Sequence, residues 1–284
     1  MIGNREELLR AAYHPLQPGY SRGGKQYLEL DYTEDCKLGK YMSEIFEVQC
    51  PKSDIINIIP DGCNDILITY NGEEVISWLS PSISAPSKFN FGELKWIFGI
   101  RFLPGATYAI FHDNLEYDVQ RAIDMKHLFR DFKLVEDAFS KARSFVKRLE
   151  VIGEYLEKKI KVRNGIEEIL YYCVGQLIDT NGLISIEALS DKTGYGVRYI
   201  RELFSKHIGH SPKELANIIR MQKTLMYMWD KPQANLGETA FKYGFADQSH
   251  MNREFRKFLG STSGIVKDDE NWITYLKTDN NRIF

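Results

Sequence analysis

No stretch of this 284-residue chain approaches eighteen consecutive uncharged apolar residues, so no membrane-spanning helix is expected. Cysteine is scarce. Cys36, Cys50, Cys63 and Cys173 show neither CxxC spacing nor clustering, which argues against a zinc knuckle or a disulfide framework. His-x-His pairs are absent, and His14, His112 and His127 stand alone, so no metal or other cofactor is expected. His207 and His210 fall at a helix end, where capping or a phosphate contact suits them better than metal ligation. The first ten residues, MIGNREELLR, lack a signal-peptide core, and a reducing cytoplasm is the expected compartment. Net charge is also nearly missing, at −2. With 43% hydrophobic and 27% charged residues, the composition is that of a folded chain long enough for two domains.

The small net charge conceals an asymmetry. Residues 181–267 hold 13 Lys/Arg against 8 Asp/Glu, whereas residues 1–180 hold 22 against 27. A basic module joined to an acidic one implies that only the former meets a polyanion.

The acidic half begins as β-structure. Apolar runs at 54–59 and 66–70 are broken by Pro60-Asp61-Gly62, and Asn71-Gly72 turns the second run into a further strand. In LKWIFGIRFLPG, Trp96, Phe98, Ile100 and Phe102 alternate with Ile97, Gly99 and Arg101 until Pro104-Gly105 stops the strand. Close-set short strands predict a sandwich or barrel. After residue 125 the period turns helical. Ala142, Phe145, Leu149, Ile152 and Leu156 form a seam that either packs against the neighbouring helix of the same chain, the favoured reading, or pairs with a second copy. A second helix ends near Asn181-Gly182.

The basic half is a repeat. Ile186 and Leu236 each stand eight residues before a glycine, Gly194 and Gly244, and an aromatic follows each glycine, Tyr195 and Phe245. A helix follows in both copies, and Gly209 and Gly260 lie five residues past Phe204 and Phe255. Each copy is thus helix, glycine turn, helix. The turn aromatic and the later Phe are expected to clamp the second helix onto the first. The outward side chains would then be Arg198, Arg201 and Glu202 in one copy, and Gln248, Ser249, Asn252 and Arg253 in the other. These suit base edges: Arg for guanine, Gln or Asn for adenine, Glu for cytosine. Lys206, Lys213, Arg256 and Lys257 are better placed for phosphates. Between the copies, Ser211-Pro212 opens a helix of roughly 18 residues with a stripe of Ile218, Met221, Leu225 and Met228. Such a rod is about 27 Å long. It can hold two reading helices about one DNA turn apart, near 34 Å.

The glycine–aromatic turn, LF…G.SP…R at 203–220 and GFADQSHMNREF at 244–255 resemble the AraC/XylS family of bacterial transcription regulators. The resemblance covers about residues 183–267. It implies double-stranded DNA as the partner, with the helices starting near 197 and 247 in the major groove. It also leaves room for RNA polymerase and a second copy of the chain as further partners. Thr224 stands where the family's spacer helix usually has Ala, Thr239 where the second unit usually has Ile, and GSTSGIVK replaces a usual G-x-T-P…R. Pro60–Asp65 (PDGC-x-D) and Gly99–Gly105 (GIRF-x-PG) are similar to the sensor domain of one branch of the family. That similarity implies a cupin-like β-barrel and a small-molecule effector.

The expected fold is therefore α+β: a cupin-like sensor or dimerisation domain over 1–127, a helical linker over 128–180, a double helix-turn-helix over 181–268 and a tail over 269–284. Arg101 either pairs with an acid such as Asp61 or Asp65, which is the favoured reading, or faces a cavity and binds an anionic effector. Tyr27, Tyr41, Trp78, Trp96 and Phe98 are the aromatics that could line such a cavity, Trp78, Trp96 and Tyr41 foremost, against core packing as the default. The rival function is an enzyme in the first half, built on Cys63 between Asp61 and Asp65, with His14 or His112 brought in as base. The plainer reading of that stretch is a tight turn.

Overall fold

The computed structural model describes residues 13–17, 20, 24–30, 38–51, 55–90, 93–111, 121–160 and 165–268. His112 and the tail 269–284 lie outside them.

The first half is built on strands β1 (Gly24–Leu30), β2 (Met42–Pro51), β3 (Ile55–Ile58), β4 (Asn64–Tyr70), β5 (Val75–Leu79), β6 (Ser87–Asn90), β7 (Trp96–Phe102) and β8 (Ile123–Asp124). Six of them form an antiparallel sheet in the order β1-β2-β7-β4-β5-β8, and β3 pairs with β6 as a separate ribbon. The sheet-rich half was expected. Among the described residues the two sheets are not hydrogen-bonded into a closed barrel. The β4–β5 hairpin turns where Asn71-Gly72 predicts it. Asn71 Oδ1 accepts from the amides of Glu73 and Glu74, and Gly72 has φ 110°.

Alternation along the strands sorts two faces. Ile45, Ile66, Ile68, Phe98 and Ile100 belong to the main core, whereas Phe46, Val48, Leu67 and Ile97 form a smaller cluster on the other face. The main face is covered by helices. These are α1 (Tyr108–Phe111), α2 (Met125–Leu128), a 3-10 turn (Arg130–Phe132), α3 (Lys133–Lys141), α4 (Phe145–Glu157) and α5 (Gly165–Asp179). Phe132, Val135, Phe139, Ile152 and Leu156 all enter the sheet's core. The described part of the expected 128–180 linker is therefore a layer of the first half, because its apolar stripe has the sheet to bury against. The seam packs within the chain, as favoured, except that Ala142 caps α3 instead of joining α4. Buried polar contacts pin this layer: Arg148 Nη1 meets Glu47 Oε2 at 2.7 Å, and Ser77 Oγ donates to Glu136 Oε1 at 2.7 Å.

The second half is all helical: α6 (Ile186–Thr193), α7 (Val197–His207), α8 (Pro212–Asp230), α9 (Leu236–Lys242), α10 (Gln248–Leu259) and α11 (Ser263–Asp268). Their starts follow from capping. Ser185, Ser211, Asn235 and Asp247 each accept an amide hydrogen from the first turn of the helix they precede, and Pro212 occupies the first turn of α8.

α8 divides the apolar surface. Leu215, Ala216 and Ile219 share the main core with α7 and the sheet, while the predicted stripe Ile218, Met221, Leu225 and Met228 packs with α9 and α10 in a second core. The first helix pair is thus continuous with the β-half. Gly62, in the Pro60–Asp65 turn, lies against Leu215 of α8: a Cβ there would stand 2.5 Å from Leu215 Cδ1, and its φ is +78°. Gln222 of α8 donates to the carbonyls of Pro60 and Leu16 and accepts from the Leu16 amide. Ser82 Oγ and His210 Nε2 are 2.7 Å apart, and the His207 ring packs on Tyr108.

Candidate nucleic-acid interface

Both helix pairs turn on left-handed glycines, Gly194 with φ +75° and Gly244 with φ +70°. At Gly194 a side chain would meet nothing within 4 Å, so only the backbone angle requires glycine. At Gly244 a Cβ would also stand 2.4 Å from Leu183 Cδ2. The expected aromatic clamp is present in one copy only. Phe245 is buried, carries Arg220 over its ring at 4.7 Å and meets His250 edge-on. Tyr195 is 42% exposed and clamps nothing. It stacks on Tyr199, 37% exposed, with ring centroids 5.2 Å apart. The first pair instead closes through Ile200, Leu203 and Phe204, which already fill the inward face of α7.

That inward face dictates the outward one. On α7, Arg198, Arg201, Glu202 and Lys206 are exposed. On α10, Met251, Phe255 and Phe258 are buried, and Gln248, Ser249, Arg253, Arg256 and Lys257 are exposed. Arg253 sits opposite the core, with Ser249 and Lys257 one turn to either side. Lys213 is exposed in the first turn of α8. Asn252 departs from expectation. Its Oδ1 accepts from Ser263 N at 3.0 Å and from Ser263 Oγ at 2.6 Å. Reading adenine through a side-chain amide needs that oxygen free to accept from the base, so Asn252 is a clasp between α10 and α11. The sequence did hold the signal: Asn252 comes one residue after buried Met251 and three before buried Phe255, at the edge of the apolar stripe. Asp247 was also missed. As N-cap its Oδ1 accepts from His250 N at 2.6 Å, fixing where α10 begins.

The spacer fits its predicted length. α8 has 19 residues, which at 1.5 Å each is about 28 Å. Arg220 ties it to the second pair through Phe245, and burial lowers its pKa while nearby Glu254 opposes that shift.

Residues 189–266 match the protein family described as "Helix-turn-helix domain". This is an AraC-type helix-turn-helix domain. The chain carrying it is a DNA-binding transcription regulator. No curated protein matches the sequence. Among solved structures, ToxT from Vibrio cholerae at 1.65 Å resolution has a TM-score of 0.41 and 12% identity, covering 89% of this chain and 97% of that one. ToxT bound to (E)-4-(8-methylnaphthalen-1-yl)but-3-enoic acid has a TM-score of 0.40 and 13% identity over the same shares. ToxT from strain O395 has 0.37 and 13%, covering 80% of this chain and 89% of that one. Likeness this slight carries no detail of site or ligand across.

In the half that precedes the AraC-type domain, the four effector candidates do not converge. Tyr41 and Trp96 lie in the main core, and Arg101 and Trp78 belong to the opposite face of the sheet. Tyr41 donates to Glu167 Oε1 at 3.0 Å, and Arg148 covers the Trp96 ring at 4.1 Å. Arg101 is 0% exposed and takes the ion pair favoured for it: Glu44 at 2.5 Å, Asp65 at 2.9 Å and Asp61 at 3.4 Å. Burial works against its charge, but Asp65, Glu44 and Asp61 outweigh that and hold its pKa above the usual range. With Nε and both terminal nitrogens turned to these carboxylates and none of the residue exposed, Arg101 is not presented to an anionic ligand. One cation cannot serve three anions equally, and Asp61, the most distant, is pushed up to about 6 by burial against the pull of Arg101.

Cys63 lies in the predicted turn. Its amide donates to Asp61 Oδ1 at 2.8 Å, and burial first, then Asp61, pushes the thiol well up. A buried protonated thiol does not fit a nucleophile.

Proposed function

We propose that this regulator reads two successive major grooves on one face of a duplex. Arg198, Arg201 and Glu202 of α7 would address base edges in one groove, and Gln248, Ser249 and Arg253 of α10 in the next. Lys206, Lys213, Arg256 and Lys257 would neutralise phosphates. One observation carries the reading: two helices with buried apolar stripes and exposed, mostly basic outer faces flank a single continuous helix of 19 residues. A rod of that length suits the separation of adjacent grooves.

Residues 1–127, with the helices of 128–180 packed on their sheet, would serve as the sensor or dimerisation domain and 181–268 as the reader. A small-molecule effector, or contact with a second copy, would change how the reader is presented. The contacts of Pro60, Gly62, Ser82 and Tyr108 with α7 and α8 and the turn between them offer the route. RNA polymerase is the natural further partner of a regulator working in the cytoplasm.

The test is Arg253→Ala against a site selected from a randomised duplex pool. The variant should bind that site about 1–3 kcal/mol more weakly and lose the preference at one base pair. Equal weakening on every sequence would make Arg253 a phosphate contact instead.

A further inference from the structure

The stacked tyrosines at the start of α7 have no task in the fold. Apolar residues of α7 are otherwise sorted inward, with Ile200, Leu203 and Phe204 buried. Tyr199 breaks that order at 37% exposure, and Tyr195 joins it from the turn at 42%. Their rings lie 5.2 Å apart at an interplanar angle of 29°. The pair is held in place before any ligand arrives. Ser190 Oγ donates to the Tyr195 carbonyl at 2.7 Å, the Tyr195 amide faces Thr193 Oγ1 at 3.4 Å, and Tyr199 is fixed by its helix. A pre-ordered aromatic ledge loses little entropy on docking. It adjoins Arg198 in sequence and stands on the first turn of the helix, the part that reaches base edges when such a helix enters a groove.

Guanidiniums and carboxylates read hydrogen-bonding edges. The one apolar feature of the major-groove floor is the thymine 5-methyl group. We propose that the Tyr195–Tyr199 ledge is a specificity-determining contact for thymine, packing its ring faces on one or two thymine methyls beside the bases met by Arg198 and Glu202. This rests on the two-groove reading of the AraC-type domain.

The experiment uses the full chain and a preferred duplex selected from a random pool. Each thymine is replaced singly by deoxyuracil, which deletes only the methyl. Affinity should fall about fourfold at one or two positions in the half-site of the first helix pair, the worth of one buried methyl at about 0.8 kcal/mol. Tyr199→Ala should abolish that sensitivity, and Tyr199→Phe, which keeps the ring, should retain it. The proposal is overturned if the selected half-site lacks thymine, if deoxyuracil has no effect there, or if Tyr199→Ala leaves the effect intact. It is also overturned if Tyr199→Phe weakens all sequences alike, which would mark a hydroxyl–phosphate contact. Selection of no duplex at all would overturn the two-groove reading itself, and the ledge with it.

Discussion

Arg101 shows how one side chain can bind three strands. Its guanidinium stands among Glu44 of β2, Asp61 of the turn and Asp65 of β4. Removing it strands three buried carboxylates, so Arg101→Ala should lose roughly 3–5 kcal/mol of stability in denaturant melts. The wild-type pH profile should contain two opposed contributions. His207 is held down to about 4 from 6.5, by burial first and Lys206 second. The unfolded chain therefore takes that proton first: the contribution is complete above pH 6.5 and is lost as the pH falls towards 4. Asp61, raised from 3.8 to about 6, has the reverse sign: its contribution is present below 3.8 and is lost as the pH rises through 6. Melting temperatures between pH 4 and 7 separate the two. His207→Leu should flatten the loss on acidification, and Asp61→Asn should flatten the loss on the way up. An unchanged slope in His207→Leu would show that the ring is not paying for burial in its neutral form.

Elements are where the sequence was most readable. Caps, turn glycines and 3.6-residue stripes are local signals, and Ser211-Pro212, Gly194, Gly244 and the α10 aromatics all act where they were expected. Partners distant along the chain leave no such local signal. Nothing in the sequence says that Ser263 takes up Asn252, that Tyr195 turns outward, or that the helices after residue 125 have a sheet to cover. The glycines allow a graded test. Gly194→Ala meets only the left-handed backbone penalty, about 1–2 kcal/mol. Gly244→Ala adds a clash with Leu183 and should cost more in the same denaturant melt. Equal losses would mean that Leu183 simply moves aside. Gln222→Ala unties α8 from Leu16 and from the Pro60 carbonyl, and should cost about 1–3 kcal/mol.

The whole molecule joins a charged, sheet-based half to a basic reader through contacts on both sides of one helix. Its first reading unit shares a core with the sheet, and its second packs in a separate core that takes in Ile59 from the first half. Two units on one rod predict two contacts with DNA at a fixed interval. The direct measurement is a hydroxyl-radical footprint of the full chain on the DNA upstream of its own gene, at low and moderate salt. Two protected patches about 10 base pairs apart on one face of the duplex, persisting at moderate salt, are expected. A single patch, or diffuse protection that vanishes with added salt, would contradict the two-groove reading and leave only non-specific phosphate binding.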